Sequence, residues 1–224
     1  MPTVVIPTYN ESESLPKLIE GLKVALPDVS ILVVDDGSPD GTASLARSLG
    51  ADVLERECKS GLASAYILGF KEALKNGAEL IIQMDADLSH DPNDVPRLIS
   101  RTTDLVIGSR YVSGGGTVNW PLHRKALSRF GSVWARSWLG LPVADLTGGF
   151  KCWTAKALSH ALSEPLRSEG YAFQVEMTWR AIQGGFSVEE VPIVFTERIE
   201  GVSKMSKAIA LEAAWLIPAL RFRA

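Results

Sequence analysis

The chain has 224 residues, 46% hydrophobic and 22% charged, with a formal net charge of −3. That composition is sufficient for one well-packed α/β domain and excludes a disordered or low-complexity polymer. The mildly acidic balance also argues against nucleic acid as a bulk electrostatic partner.

Met1 and Pro2 lead straight into the apolar run Thr3–Ile6, with no basic stretch or cleavage site, so no secretory signal is expected. Apolar runs predict strands over Thr3–Ile6, Ser30–Val34, Asp52–Leu54, Glu79–Met84 and Asp104–Gly108. Between them, amphipathic patterns predict helices over Leu15–Leu26, Thr42–Leu49, Gly61–Asn76 and Pro92–Ser100. Such alternation predicts an α/β fold with a mostly parallel central sheet flanked by helices. The second half opens with a Gly114–Gly116 loop and predicts helices over Lys125–Leu139, Thr154–Leu162 and Ala172–Gln183. A strand over Ser187–Phe195 follows, and an amphipathic helix closes the chain. No linker or repeat divides it, so residues 1–224 read as a single domain.

A spanning helix needs about 18–20 consecutive apolar residues, and no stretch supplies them. The nearest, Ala208–Leu220, contains Glu212 and Pro218; it suits the surface of a bilayer rather than its interior. Cys58 and Cys152 are far apart and lack metal-ligand spacing, which predicts two buried thiols in a reducing cytosol.

Ligands of open α/β sheets bind at the carboxyl ends of the strands. Four polar clusters fall there: Pro7–Glu11, Asp35–Thr42, Asp85–Ser89 and Ser109–Tyr111. In extended backbone, residues two apart project to one side, so Asp85 and Asp87 can face one point. Their mutual repulsion is relieved by a divalent cation, and carboxylate oxygens suit Mg²⁺ or Mn²⁺. Of Asp35 and Asp36, one acid could bond a base or ribose, while Ser38 or Asp40 could cap the next helix. Lys59-Ser60-Gly61 precedes a helix whose N-terminus favours phosphate.

Together Pro7-Thr8-Tyr9-Asn10-Glu11, Asp35-Asp36-Gly37-Ser38-Pro39-Asp40, Asp85-Ala86-Asp87 and Gly108-Ser109-Arg110-Tyr111 resemble the inverting family-two glycosyltransferases with a GT-A fold. Asn119-Trp120-Pro121, Asp145–Phe150, Gly170–Gln174 and Glu197-Arg198 with Gly201, Ser203 and Lys204 narrow the likeness. They resemble the polyprenol (dolichyl) monophosphate mannose synthases, in the compact bacterial branch without transmembrane helices. The resemblance implies a nucleotide-sugar half over about 1–112, an acceptor half over about 113–206 and an amphipathic tail over 207–224.

It further implies that Pro7, Tyr9, Glu11, Val34 and Asp36 hold the guanosine of GDP-mannose, with Lys59 also on the donor side. Asp85, Ala86 and Asp87 would meet ribose and diphosphate, with Asp87 the chief metal ligand. Ser89 stands where some relatives place a Gln ligand, and water would replace so weak a donor. Arg110, Arg198 and Lys204 would neutralise the phosphates, with Arg110 and Arg124 on the acceptor phosphate. The implied reaction is inverting transfer of mannose to a polyprenyl monophosphate. A phosphate monoester is largely dianionic at neutral pH. It needs no strong base, which fits a neutral Gln174; Glu176 either orients the mannose or begins a helix.

Trp120, Trp134, Trp138 and Trp215, with Arg129 and Arg136, suggest a greasy, basic-edged surface. This predicts peripheral attachment at the cytoplasmic face of a membrane, a setting compatible with a membrane partner protein. His90 and His123 read as surface or capping groups. Among rivals, a UDP-sugar donor is open to the same motifs. A receiver-type signalling module would be a smaller chain without an Asp-x-Asp. A dinucleotide oxidoreductase would carry Gly-x-Gly-x-x-Gly after its first strand.

Overall fold

The computed structural model describes residues 1–168, 170, 172–197 and 217–221. Strands β1 (Pro2–Thr8), β2 (Ser30–Asp35), β3 (Asp52–Glu55) and β4 (Leu80–Gln83) alternate with helices α1 (Leu15–Ala25), α2 (Thr42–Ser48) and α3 (Leu62–Lys75). A 3-10 turn (Pro92–Asp94) and α4 (Val95–Ile99) lead to β5 (Leu105–Ser109). Then come β6 (Gly116–Val118), α5 (Leu122–Leu139), β7 (Lys151–Thr154), α6 (Ala155–Ala161), α7 (Ala172–Gln183), β8 (Val188–Pro192) and β9 (Val194–Thr196).

Seven strands form the main sheet in the order β3-β2-β1-β4-β7-β5-β8, and β6 pairs with β9 in a separate ribbon. β1 runs parallel to both β2 and β4, whereas β7 is antiparallel to β4 and β5. β4 and β5 therefore point the same way, and their carboxyl ends reach the rim formed by β1 and β2.

Alternating side chains fill two cores. Val5, Leu32, Val34, Ile81 and Trp153 face α3, α5, α6 and α7, while Val4, Ile6, Ile31, Val33 and Cys152 face α1, α2 and α4. Each fully buried Val, Leu, Ile or Phe contributes about 1.5–3 kcal/mol. α3 crosses the sheet at Gly69, where a Cβ would stand 2.4 Å from Val5 Cγ1 and 2.8 Å from Val34 Cγ2. A residue with a side chain fits there only if the Val5 or Val34 side chain gives way.

Several expectations change. β7 was not expected as a strand: it is four residues long and begins with a lysine, yet it is central and buried. The expected strand Ser187–Phe195 is two strands, because the chain leaves the edge of the sheet after Pro192, which has no N–H to donate. The helix expected over Pro92–Ser100 divides into the 3-10 turn and α4. α5 begins at Leu122, not Lys125, since Pro121 O accepts from both Arg124 N and Lys125 N. Only residues 217–221 of the closing helix are described, and they are helical. Among the described residues no helix is long and apolar enough to cross a membrane. Cys152 is buried as expected, but Cys58 is exposed because it lies in the loop between β3 and α3.

Candidate active site

The two neighbouring acids at the end of β2 separate by role. Asp35 is 1% exposed and accepts from Thr8 Oγ1 (2.7 Å), Ser38 N (2.8 Å) and Ser38 Oγ (2.7 Å). It is a clamp between the β1 and β2 loops. Asp36 instead pairs with the Arg56 guanidinium at 2.9 Å and accepts from Ser60 N at 3.3 Å. Arg56 was missed by sequence reading; its one signal is that it directly follows the neighbouring strand. Asp40, rather than Ser38, secures the start of α2, accepting from Thr42 N, Thr42 Oγ1 and Ser12 N.

Lys59 Nζ sits 4.1 Å from the centroid of the Tyr9 ring, a cation–π contact joining the β1 and β3 loops. Pro7 and Glu11 are half-buried on the same rim, and Glu11 Oε2 accepts from Ser14 Oγ. The side chain of Val34 is fully buried against α3, and that of Ala86 is buried in the opposite core.

Asp85 and Asp87 are both half-buried beyond β4. Tyr66 donates to Asp85 Oδ1 at 2.6 Å, and Ser89 N donates to Asp87 Oδ1 at 3.1 Å. Leu88, between Asp87 and Ser89, has φ +59°, a left-handed conformation rare for a branched side chain and common at ligand-clamping turns. Ser89 is buried, and its hydroxyl has no hydrogen-bond partner among the described residues. Two carboxylates and an orphaned hydroxyl fit a hard cation that keeps water and substrate oxygens in its shell. Among the described residues no cluster of three His, Cys, Asp or Glu offers a complete protein cage.

His90 departs from expectation. It is 3% exposed, stacked on Phe150 at 5.0 Å and edge-on to Phe195 at 5.1 Å. Burial pushes its pKa below the ordinary value, against the pull of Asp85 and Asp87. The apolar neighbours that bury it lie far along the chain, so local polarity misled. His123 is exposed, as expected.

Arg110 is 7% exposed, and its guanidinium forms a bidentate pair with Asp145, Nε to Oδ2 and Nη2 to Oδ1, both at 2.7 Å. Its Nη2 also donates to Thr147 Oγ1 at 2.9 Å. Arg124 pairs with Glu197. The two guanidinium carbons lie 5.2 Å and 4.7 Å from the centroid of Trp120, so the structure brings both arginines to one ring. Arg198, Lys204 and Trp215 lie outside the described residues.

Gln174 is 2% exposed, and its Nε2 approaches the Cβ position of Gly149 at 3.6 Å, where Asp85 Oδ2 is 3.3 Å away. Glu176 points elsewhere. It is fully buried and accepts from Ser168 N, Arg167 N and Arg180 Nη2, which fixes the loop before α7. Sequence reading also missed Lys151, fully buried, whose Nζ donates to Gln174 O and Thr178 Oγ1 at 2.9 Å. Burial pulls its pKa down to about 7.

An open, mostly parallel sheet with one antiparallel inner strand and an acid pair at its rim is the GT-A architecture of nucleotide-sugar enzymes. The chain belongs to glycosyl transferase family 2, whose sequence profile matches residues 3–160. It is 46% identical over 223 residues to the polyprenol monophosphomannose synthase of Mycolicibacterium smegmatis, covering 96% of this chain and 84% of that one. It is 48% identical over 216 residues to the undecaprenyl-phosphate mannosyltransferase of Micrococcus luteus, covering 93% of this chain and 89% of that one. Among solved structures, it superposes with a TM-score of 0.73 and 18% identity on glucosyl-3-phosphoglycerate synthase from Mycobacterium tuberculosis in complex with Mn²⁺, UDP and phosphoglyceric acid. That match covers 99% of this chain and 78% of the other.

Proposed function

We propose that this protein transfers mannose, with inversion, from GDP-mannose to a polyprenyl monophosphate at the cytoplasmic surface of a membrane, with Mg²⁺ or Mn²⁺ as cofactor. The observation that carries this reading is the match along most of the chain to two relatives whose names give mannosyl transfer to a polyprenyl phosphate; the donor, the cation and the membrane face are inferred from the site.

The geometry supports it. Asp36 and Arg56 with Tyr9 and Lys59 offer the base and ribose a polar, aromatic-walled seat. Asp87 and Asp85, with water in place of a direct Ser89 bond, would hold the cation. Once bound, that cation would supply Lewis-acid stabilisation of the diphosphate leaving group. Arg198 and Lys204 carry the same charge-neutralising task by likeness to the family.

A lipid phosphate dianion attacks the anomeric carbon without surrendering a proton. The residues at hand agree: Gln174 beside Asp85 is neutral, and Glu176 is locked to Arg180. Arg110, paired with Asp145, lines the acceptor site, while Arg124 exchanges Glu197 for the incoming phosphate.

α5 supplies the membrane contact. Its inner stripe, Ser132, Ala135 and Leu139, is buried, whereas Leu122, Leu127, Phe130 and Val133 are exposed. It carries Arg124, Lys125, Arg129 and Arg136 and no acid, which suits an anionic bilayer.

The test is a donor panel with purified protein, vesicle-borne polyprenyl phosphate and Mg²⁺ or Mn²⁺. Mannosyl transfer from GDP-mannose alone is expected. Preference for a UDP-sugar would replace the donor assignment, and no transfer from any donor would end the enzymatic one.

A further inference from the structure

One hydroxyl joins the membrane-facing helix to the acceptor-site arginine. Thr147 Oγ1 accepts from Arg110 Nη2 at 2.9 Å and lies 3.2 Å from both Ser128 Oγ and Ser132 Oγ on α5. Its remaining contact is Asp145 Oδ1 at 3.4 Å. A threonine hydroxyl has one proton and two lone pairs, so three of these four neighbours saturate it at any moment. The loop that carries Thr147 is itself pinned, because Glu190 on β8 accepts from Ala144 N at 2.7 Å and Asp145 N at 2.9 Å. Ser132 is fully buried, and the Thr147 methyl is 3.7 Å from the Cβ position of Gly131. α5 therefore rests on this residue while its opposite face exposes Leu127, Phe130 and Val133.

We propose that Thr147 is a positioning residue that couples the seating of α5 on the membrane to the orientation of Arg110, so that acceptor capture depends on it. This inference rests on the acceptor-phosphate reading of Arg110. The chain of contacts is short and polar: α5 hydroxyls, Thr147, then the guanidinium. A tilt of α5 on a lipid surface is transmitted to Arg110 through one hydrogen-bonded atom. The donor side reaches the same rim through β1, β2 and β4 and does not share that junction.

The experiment compares wild type with Thr147→Val, which keeps the shape and removes the hydroxyl, and Thr147→Ser, which restores it. Acceptor KM and donor KM are measured separately on vesicles of phosphatidylcholine and phosphatidylglycerol containing polyprenyl phosphate. Thr147→Val is expected to raise the acceptor KM about tenfold, the loss of one hydrogen bond to a charged group, with a much smaller change in donor KM. Thr147→Ser is expected to return it to near the wild-type value. Ser132→Ala, which cuts the junction from the helix side, is expected to move the same constant in the same direction. Equal shifts in both constants, or no shift in either valine or alanine variant, would overturn the coupling. Wild type that transfers nothing to polyprenyl phosphate would instead overturn the functional reading and this inference with it.

Discussion

Arg110 and Asp145 stand 35 residues apart in the chain yet share two parallel 2.7 Å hydrogen bonds, with a third from Arg110 N to Asp145 Oδ2 at 3.0 Å. Asp145 is fully buried, and burial alone would raise its pKa. The Arg110 charge and hydrogen bonds outweigh burial and hold it below the ordinary 3.8. A depressed carboxyl pKa contributes stability above the unfolded-state value and loses it as pH falls through the folded one. Asp145→Asn should therefore cost about 3–5 kcal/mol at neutral pH, because it strands a buried guanidinium. It should also flatten the loss of stability below about pH 4. Urea melts at pH 7 and an acid titration check both; an unchanged midpoint would mean the pair contributes nothing.

Lys151 gives the opposite slope. Its pKa of about 7, against an ordinary 10.5, means that the unfolded chain binds its proton more tightly between those values. Stability from this group rises with pH from about 7 toward 10 and is lowest below 7. Lys151→Met should thus stabilise the protein at pH 6 by on the order of 2–4 kcal/mol and remove the alkaline rise. Thermal melts of both proteins from pH 6 to 9 decide it. Parallel curves would show that the lysine is charged in the folded state throughout.

Asp87→Ala should reduce transfer by at least about 100-fold, the scale for losing a transition-state charge contact, with little change in melting temperature. Asp87 is half-buried, at the strand-end rim rather than in either core. Chelator-treated enzyme should lose activity likewise and regain it with Mn²⁺ or Mg²⁺. Full activity in either experiment would remove the acids from the mechanism.

Gly69→Ala should destabilise by about 1–3 kcal/mol, the usual cost of overpacking, because its methyl must displace Val5 or Val34. Val5→Ala in the same chain should recover part of that loss. Simple addition of the two losses would show that the sheet, not Val5, absorbs the strain.

On α5, replacing Leu127 and Phe130 together by Ser should weaken binding to anionic vesicles by at least about tenfold without lowering the melting temperature, since each buried apolar side chain contributes about 1.5–3 kcal/mol. Sedimentation with phosphatidylglycerol vesicles measures it. Undiminished binding would move the membrane contact away from this helix.

Much was legible before any fold was known. The strand and helix periods of the first 109 residues are local, and β1 to β5 stand close to where those periods place them. The acids of Asp85-Ala86-Asp87 and the clusters at the strand ends follow from that alternation, since a parallel sheet gathers its carboxyl ends on one rim. Adjacent backbone geometry sufficed for these features, so the linear order of residues determined them.

Tertiary structure decided what each charged group touches. Whether Asp35 or Asp36 stays available depends on Thr8 and Arg56, which arrive from other strands. Arg110 could be read as a phosphate ligand, but its pairing with Asp145 needed the 143–149 loop to fold back beneath it. β7, Lys151 and the burial of His90 were hidden for the same reason. Electrostatic partners and burial are set by contacts between residues distant in the chain, and local periodicity carries no information about them.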